Sequence, residues 1–312
     1  MLDKELVWRE IKNCNLEKEI KRDEAMKGHT SWKIGGKADF FCIPYDKYRL
    51  KEILLFAQNY QLPIYIIGNG TNIWVGDEGI RGLVVKIAHT LDKIEYSDKI
   101  IKAGAGVLLS TLVKNTVDKE LAGLEFAAHI PGTLGGAIIN NASFGTEAIA
   151  DIVHKIILFD FKNGQFKELN KEQFLFHYRG IELGIQDFVV LAAELSLFPQ
   201  EKEKILFKVK QYYRKRKESQ PVNSLTAGCV FKNPKEKPAG YLIEKSGAKG
   251  LMVGDAQVST KHANFIINRG SATANDILKL IEKIENIVEK TFGIKLEREI
   301  KFVGQLPGSG TL

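Results

Sequence analysis

Apolar and polar residues follow strand-like and helix-like spacings in turn through the first part of the chain. The first thirty residues, rich in Lys and Glu, predict a short amphipathic helix or two. After a break at Gly35-Gly36, apolar and aromatic residues predict a strand over 38–43, and an apolar stripe predicts a helix over 45–59. An apolar strand over 64–67 then runs into a glycine loop. The order strand, helix, strand, loop indicates an α/β arrangement.

The rest of the chain continues this mixture and ends on a long helix and a strand. A hairpin is predicted where Asn163-Gly164 separates two alternating runs. Ser271 or Thr273 caps a long amphipathic helix that ends at Gly293, and alternation over 295–303 predicts a final strand. The other predicted elements are strands over 80–87, within 91–103 and over 188–197, and helices within 104–120, over 199–217 and over 239–246.

Length and composition predict a soluble globular protein of two or three domains. The 312 residues are 44% hydrophobic and 27% charged. Cys14, Cys42 and Cys229 stand far apart and suit neither a disulfide framework nor a metal site, so we expect free thiols in a reducing compartment. We find neither a signal-peptide core nor a run of roughly 18 uncharged apolar residues. We therefore expect a cytoplasmic protein without a membrane span.

The basic character of the chain favours an anionic partner. A formal net charge of +7 and a pI of about 9.0 fit a nucleic acid, and they fit a small polyanion such as a nucleotide or a diphosphate equally well. The densest basic cluster, over 212–217, lies in a predicted helix, where its charges fan around the axis as on an ordinary solvated face. Charge alone leaves both partners open.

Two glycine-rich segments are candidates for binding a phosphorylated ligand. The loop 68–72, Gly-Asn-Gly-Thr-Asn, lets backbone N–H groups turn toward one ligand, and Ile73 excludes the dinucleotide fingerprint Gly-x-Gly-x-x-Gly. In the segment 123–145, closely spaced Gly and Pro within an apolar run suit backbone packed against a flat or charged group. A plain turn and a long buried turn are the structural alternatives.

Three further residues stand in patterns that suit chemistry. In the stretch LTAGCVFKNP, which starts at Leu225, small residues present Cys229 before a short apolar run, and a cation and an amide follow. Arg179 follows an aromatic run, and His262 precedes a predicted strand. A buried structural thiol, a snorkelling guanidinium and a hydrogen-bonded surface imidazole are the structural alternatives.

Four features stand together in this order: the GNGTN loop, IPGTLGGA, AGCVFKNP and a terminal LExEI strand. With them the chain resembles the UDP-N-acetylenolpyruvoylglucosamine reductase family from about Thr30 to Gly304. The resemblance implies an α+β / α/β fold with a two-part FAD-binding domain of the vanillyl-alcohol-oxidase (PCMH) type and a C-terminal α/β substrate-binding domain. The implied division is FAD-binding subdomain 1 (1–80, with strand 295–304 packing back on it), FAD-binding subdomain 2 (81–219), a substrate-binding domain (220–294) and a tail (305–312).

The resemblance also implies roles for single residues. Arg179 matches the catalytic arginine of the family's FxYR motif, Cys229 matches the proton-donating serine of AGSxFKNP, and Glu299 matches the catalytic glutamate near the C-terminus. Substrate contacts fall on Asn233 and His262. The family's flavin segments match Gly68, Asn69, Gly70, Thr71, Asn72, Ile130, Pro131, Gly132, Thr133, Gly135, Gly136 and Ala137.

The chain departs from the family pattern at a few positions. Cys229 stands where a serine is usual, Ile181 stands where a polar residue is usual, and the loop after Asn141 is one residue shorter. Between Arg179 and Val189 there is no room for the tyrosine-bearing insertion of one subgroup. The chain therefore resembles the subgroup that lacks this insertion.

The resemblance implies NADPH-dependent, FAD-mediated reduction of UDP-N-acetylglucosamine enolpyruvate to UDP-N-acetylmuramate in peptidoglycan precursor synthesis. FAD would be bound non-covalently and supply hydride from N5, NADPH would be the co-substrate, and we expect a monomer. Arg179 and Glu299 would stabilise the substrate enolate and Cys229 would donate the proton. Two alternatives remain. Another FAD oxidoreductase, acting on a hydroxy acid or sugar, has no use for AGCVFKNP, and a nucleic-acid-binding protein leaves both glycine segments without a role.

Overall fold

The structure is a computed structural model that describes residues 3–304. Its α-helices are α1 (Lys4–Asn13), α2 (Lys47–Asn59), α3 (Leu109–Asp118), α4 (Leu134–Ile139), α5 (Lys202–Ser219), α6 (Ala239–Lys245) and α7 (Ala274–Phe292). Its strands are β1 (Ile20–Ala25), β2 (Lys37–Cys42), β3 (Ile64–Ile67), β4 (Ile73–Val75), β5 (Ile80–Lys86), β6 (Ile94–Ser97), β7 (Ile100–Gly104), β8 (Leu121–Ala122), β9 (Ser143–Phe144), β10 (Glu147–Ala148), β11 (Val153–Asp160), β12 (Gln165–Asn170), β13 (Leu175–His177), β14 (Gly180–Glu182), β15 (Phe188–Ser196), β16 (Phe198–Pro199), β17 (Met252–Val253), β18 (Ala256–Val258), β19 (Ile266–Asn268) and β20 (Lys301–Val303).

The chain divides into two compact units, each assembled from separate segments. Unit 1 comprises Met1–Lys21, Phe40–Asn69 and Gly82–Arg214, and unit 2 comprises Arg22–Asp39, Gly70–Arg81 and Lys215–Leu312. The change of unit after Arg214 lies close to the domain boundary expected at 219/220. The family-based division into FAD-binding and substrate-binding parts stays a prediction, and the predicted tail over 305–312 lies outside the described residues.

The strand, helix, strand, loop order expected near the N-terminus is confirmed. A four-stranded sheet has the order β1-β2-β5-β3, and β3 pairs with β5 in parallel. Between β2 and β3, α2 begins where the Asp46 carboxylate accepts hydrogen bonds from the N–H groups of Tyr48 and Arg49, at 2.9 and 2.8 Å. The helix buries the apolar stripe that the sequence predicts, so its entry point and its core face both follow from local pattern.

A five-stranded antiparallel sheet, β12-β11-β15-β7-β6, forms the centre of unit 1. The predicted hairpin around Asn163-Gly164 is confirmed, with Asp160 paired to Gln165 at its end. The buried Asp160 carboxylate accepts a 2.7 Å hydrogen bond from Lys167 Nζ and a 3.0 Å bond from Asn163 N. The Lys167 bond, opposed by burial, lowers the pKa of Asp160 to about 2, so this carboxylate stays ionised at neutral pH.

In unit 2, the helix α7 supplies the main apolar face and has a defined cap at each end. The Thr273 hydroxyl accepts from Asp276 N at 3.1 Å, and the Asp276 carboxylate accepts from Thr273 N at 2.9 Å. Gly293 ends the helix at φ 70°, a left-handed conformation that glycine adopts without strain. Of the two residues that the sequence offers as caps, Thr273 is therefore the cap. The residues that α7 buries are Ala274, Ile277, Leu280, Ile281, Ile284 and Val288.

The prediction of a short amphipathic helix in the first thirty residues is confirmed by α1, whereas Ile20–Ala25 forms β1 at the edge of a sheet, where strand pairing outweighs a weak helical preference. The glycine-rich segment 123–145 contains the short helix α4. The predicted extent of the final strand is wrong. The regular final strand is only Lys301–Val303, which pairs in parallel with β4, because the backbone over 297–299 bonds to a different segment.

Within residues 3–304, none of the helices combines the length and the apolar composition that a membrane crossing needs.

We predict that Asp77→Ala destabilises unit 2. Asp77 Oδ1 and Oδ2 accept hydrogen bonds from Ala274 N and Asn275 N, each at 2.9 Å, and so pair two N–H groups of the first turn of α7. The loss should lower the free energy of unfolding by about 1 to 2 kcal/mol in a denaturant titration. The neighbouring exposed variant Glu78→Ala is the control, and an equal loss in both variants would contradict this account of the cap.

Candidate active site

Residues 229–232 form an extended segment within unit 2, called the strip below. One edge of the strip is held by residues 264 and 265. Cys229 forms an antiparallel bridge with Phe265, and Val230 N donates to Asn264 O at 2.8 Å. The Asn264 side chain accepts from Phe231 N at 2.9 Å and donates to Phe231 O at 2.8 Å. The short apolar run after Cys229 is therefore held by single-residue pairings and forms no regular strand, because a side-chain amide replaces part of the partner strand.

The other edge of the strip is paired with the segment that carries Glu299. Glu299 N donates to Val230 O at 2.7 Å, and Lys232 N donates to Glu297 O at 2.8 Å. The Lys232 ammonium also forms an ion pair with the Glu297 carboxylate. Lys232 therefore has an acidic partner within the protein, and it does not line the cavity described below. Two of the predicted catalytic residues, Cys229 and Glu299, thus stand on backbone segments that are hydrogen-bonded to each other.

A cavity of about 350 Å³ opens beside the strip, also within unit 2. Cys229 and both predicted substrate contacts, Asn233 and His262, contribute to its wall. Asn233 Oδ1 accepts from Ala239 N at 3.0 Å, so this amide also holds the first turn of α6 against the cavity. The complete lining is Cys229, Asn233, Pro238, Gly240, Tyr241, Glu244, Lys261, His262, Ala263 and Asn264.

The imidazole of His262 is fixed in one orientation. Its Nδ1 accepts a 3.2 Å hydrogen bond from Asn264 N, which leaves the hydrogen of the neutral ring on Nε2. Burial lowers the pKa of His262, so the ring is neutral at pH 7. Gly240 allows the close approach of α6, since a Cβ there would lie 3.1 Å from His262 Cε1. His262 therefore offers a neutral N–H donor, which suits a phosphate oxygen.

Three residues around the cavity escaped the sequence analysis. Lys261 and Tyr241 line the cavity, and the exposed Tyr241 ring has the ammonium groups of Lys237 and Lys245 at 6.0 and 5.9 Å. Arg216, in the last turn of α5, is half-buried and within electrostatic range of Cys229, and burial lowers the pKa of its guanidinium. The solvated-face interpretation of the basic cluster is wrong at this position. No local signal marks any of the three, because tertiary packing places them.

Arg179 lies in unit 1, at the tip of the hairpin formed by β13 and β14. Its φ of 61° is in the left-handed region, which is uncommon for a residue with a Cβ and is typical of functional positions. The guanidinium Nη1 donates to Ser143 Oγ at 3.1 Å, and Asn141 Nδ2 donates to His177 O at 3.0 Å beside the turn. The hairpin tip is thus tied to the residues just after the second glycine segment.

The two glycine-rich segments meet within unit 1. A Cβ on Gly68 would lie 2.5 Å from Thr133 Oγ1, and a Cβ on Gly135 would lie 2.9 Å from Ala105 Cβ. Thr133 caps α4 by accepting from Gly136 N at 3.3 Å. Backbone without side chains is what a large planar and phosphorylated group needs at close approach, so this cradle fits FAD.

The remaining predicted cofactor residues divide between the units, with Asn69 in unit 1 and Gly70 in unit 2. Gly70 has φ 67°, and a Cβ there would lie 1.9 Å from His29 O, so only glycine fits. The roles toward FAD expected for all twelve residues stay predictions: Gly68, Asn69, Gly70, Thr71, Asn72, Ile130, Pro131, Gly132, Thr133, Gly135, Gly136 and Ala137.

Comparison with known proteins agrees with these features. The sequence pattern described as "FAD binding domain" matches residues 38–170, and that described as "UDP-N-acetylenolpyruvoylglucosamine reductase, C-terminal domain" matches residues 220–303. The proteins named UDP-N-acetylenolpyruvoylglucosamine reductase from Desulforamulus reducens and Clostridioides difficile are 43% and 40% identical to the chain. These alignments cover 92% and 96% of the chain, and 94% and 98% of those proteins.

A solved structure extends this similarity to the fold. The crystal structure of UDP-N-acetylenolpyruvylglucosamine reductase from Thermus caldophilus superposes with a TM-score of 0.77 at 34% identity, and covers 91% of this chain and 98% of that one. The expected combination of an FAD-binding domain with a C-terminal domain of this reductase type is thereby confirmed.

We predict that Gly68→Ala removes bound FAD. The added methyl group would collide with Thr133 Oγ1 at 2.5 Å and push the two glycine segments apart. The purified variant should carry less than about a tenth of the wild-type flavin, measured by absorbance after release, because tight packing leaves no room to relax. Gly28→Ala, where a Cβ meets nothing within 4 Å, is the control. A full flavin content in Gly68→Ala would contradict the cradle.

Proposed function

We propose a reaction for this chain, which belongs to the UDP-N-acetylenolpyruvoylglucosamine reductase family. It reduces UDP-N-acetylglucosamine enolpyruvate to UDP-N-acetylmuramate with NADPH. The observation that supports this most strongly is the cavity in unit 2, where Cys229, Asn233 and His262 stand together beside the segment of Glu299. The product is a precursor of peptidoglycan. The expectations of a monomer and of a cytoplasmic location stay predictions.

FAD would be held by the glycine segments around Gly68 and Thr133. When bound and reduced by NADPH, it supplies a hydride to the terminal carbon of the enolpyruvyl group. The protein then has to hold the substrate carboxylate, stabilise the negative charge that develops next to it, and deliver one proton to the neighbouring carbon.

Cys229 is the proposed proton donor. A free thiol has a pKa of about 8.5, far below that of a serine hydroxyl, so the exchange of serine for cysteine makes proton release easier. Proton transfer to the substrate carbon leaves a thiolate, and the nearby Arg216 cation favours that anion. Glu299, in its protonated form, would hydrogen-bond the substrate carboxylate from the neighbouring backbone segment, and solvent would return the proton to the thiolate.

Arg179 would hold the substrate carboxylate and stabilise the enolate charge. The strained hairpin turn and the bond to Ser143 give this guanidinium a defined direction before substrate arrives. A preorganised cation lowers the barrier more than one that must reorient during the reaction. The support for this role is the family pattern together with the backbone strain at Arg179.

The wall of the cavity has donors for a nucleoside diphosphate. The His262 Nε2–H group and the Lys261 ammonium are a neutral and a charged donor for phosphate oxygens, and Asn233 adds an amide. Tyr241 offers an exposed ring at the same wall. The chain has no room between Arg179 and Val189 for the tyrosine-bearing insertion. We therefore propose that these residues of the cavity wall cover the diphosphate instead.

The direct test of the function follows the flavin spectrum of the purified protein. The protein should be yellow, should bleach on anaerobic addition of NADPH, and should recover its colour when UDP-N-acetylglucosamine enolpyruvate is added. Bleaching of the oxidised flavin by a hydroxy acid or a sugar, with no recovery on addition of the enolpyruvyl sugar, would favour the alternative oxidoreductase. A colourless protein would overturn the proposal.

We predict that Cys229→Ser retains substantial activity and that Cys229→Ala abolishes oxidation of the reduced flavin by the enolpyruvyl substrate. A hydroxyl can replace the thiol as a proton donor, whereas a methyl group has no proton to give. Single-turnover absorbance of the flavin measures this step separately from reduction by NADPH. Normal reoxidation in Cys229→Ala would show that another group is the proton donor.

We predict that Arg216→Met makes the thiol of Cys229 less reactive at neutral pH. Removal of a cation that favours the thiolate should raise the thiol pKa, and one unit would cut the thiolate fraction about tenfold. The rate of Cys229 alkylation as a function of pH measures this shift. Lys215→Met, one residue earlier on the exposed face of α5, is the control that removes the same formal charge. Identical pH profiles in the two variants would contradict a specific role for Arg216.

A further inference from the structure

The side chain of Asn264 is buried, 2% exposed, and acts as a substitute for a partner strand. Its Oδ1 accepts from Phe231 N at 2.9 Å and its Nδ2 donates to Phe231 O at 2.8 Å. This two-bond pattern is the one by which a neighbouring residue in an antiparallel ladder pairs with both backbone groups of its partner. Asn264 therefore fixes the direction of the strip two residues after Cys229.

The main chain of Asn264 holds two further parts of the site. Its carbonyl accepts from Val230 N at 2.8 Å, and its N–H donates to His262 Nδ1 at 3.2 Å. Val230 in turn accepts from Glu299 N at 2.7 Å on the opposite edge of the strip. One residue is thus connected by direct bonds, or through a single intermediate residue, to the backbone of Cys229 and Glu299 and to the ring of His262.

We propose that Asn264 is a positioning residue for the reaction: its paired side-chain amide holds the Cys229 thiol at proton-transfer distance from a substrate bound in the cavity. This inference rests on the proposed function, in which Cys229 donates the proton. The opposite edge of the strip is held by backbone bonds, which persist when side chains are exchanged, so the Asn264 amide is the part of this arrangement that substitution can remove. A displacement of about 1 Å at a reacting group costs roughly 100-fold in rate.

The chain offers a matched control for a purely structural role. Asn268 is also buried, 5% exposed, and belongs to the same unit. Its Nδ2 donates to Trp32 O at 2.8 Å and its Oδ1 accepts from Gly270 N at 2.8 Å, but it does not line the cavity. Loss of either amide leaves buried backbone groups unpaired, so both substitutions should destabilise the fold by similar amounts.

The experiment compares Asn264→Leu with Asn268→Leu in the flavin-loaded protein carrying Cys14→Ser. Cys14 is the exposed cysteine and Cys42 is buried, so iodoacetamide then reports on Cys229. We expect Asn264→Leu to lower kcat by about tenfold or more while KM changes less than about threefold, and to change the alkylation rate of Cys229, read by mass spectrometry, at least about threefold. Asn268→Leu should keep both rates within about twofold of the parent, per mole of folded protein.

Equal effects of the two variants on kcat and on alkylation, or a loss of stability alone in Asn264→Leu, would overturn the proposal. Asn264→Ser, which removes the paired amide without adding apolar bulk, is measured in the same way if Asn264→Leu does not fold. The alkylation comparison uses no substrate, so it remains decisive for the position of the thiol even if the parent protein fails to turn over the enolpyruvyl sugar, which would overturn the proposed function instead.

Discussion

The candidate site depends on how an extended strip of four residues, 229–232, is held along both of its edges. A strip without a regular partner strand must find a hydrogen-bond partner for each buried backbone group, and an unpaired group costs about 1 to 3 kcal/mol. Here Asn264 pairs one edge and the backbone of Glu299 pairs the other. The same bonds that satisfy the strip therefore bring Cys229 beside the segment of Glu299, the proposed catalytic glutamate.

Much of the fold could be predicted from local pattern, and the exceptions have a common physical cause. The stripe of α2 and the caps of α7, including Thr273 and Gly293, are encoded within a few residues of where they act. The segment 295–299 alternates like a strand but pairs with Lys232 and Val230 instead of extending β20. Pairing with a distant segment of the chain leaves no local pattern in the sequence. Local pattern therefore does not predict that the regular strand begins only at Lys301.

The candidate site shows the same limit in its chemistry. The motif around Cys229 and the family pattern name the thiol, Asn233 and His262, and the structure places all three on one cavity wall. The charges and tautomers that tune them come from packing. Arg216 lies within electrostatic range of the thiol on a helix whose sequence resembles a solvated face, and burial lowers the pKa of His262, so that its ring is neutral at pH 7. Below its lowered pKa, protonated His262 would lose Nδ1 as an acceptor for Asn264 N, which links the strip to pH.

The most direct test of this account is a double-mutant cycle between Cys229→Ala and Glu299→Gln, measured on the residual rate at which the enolpyruvyl substrate oxidises the reduced flavin. Residues that act as one unit give strongly non-additive losses. The account predicts that the double variant is little slower than the slower single variant. Losses that multiply, as for two independent sites, would contradict the claim that the paired segments of Cys229 and Glu299 form one catalytic unit.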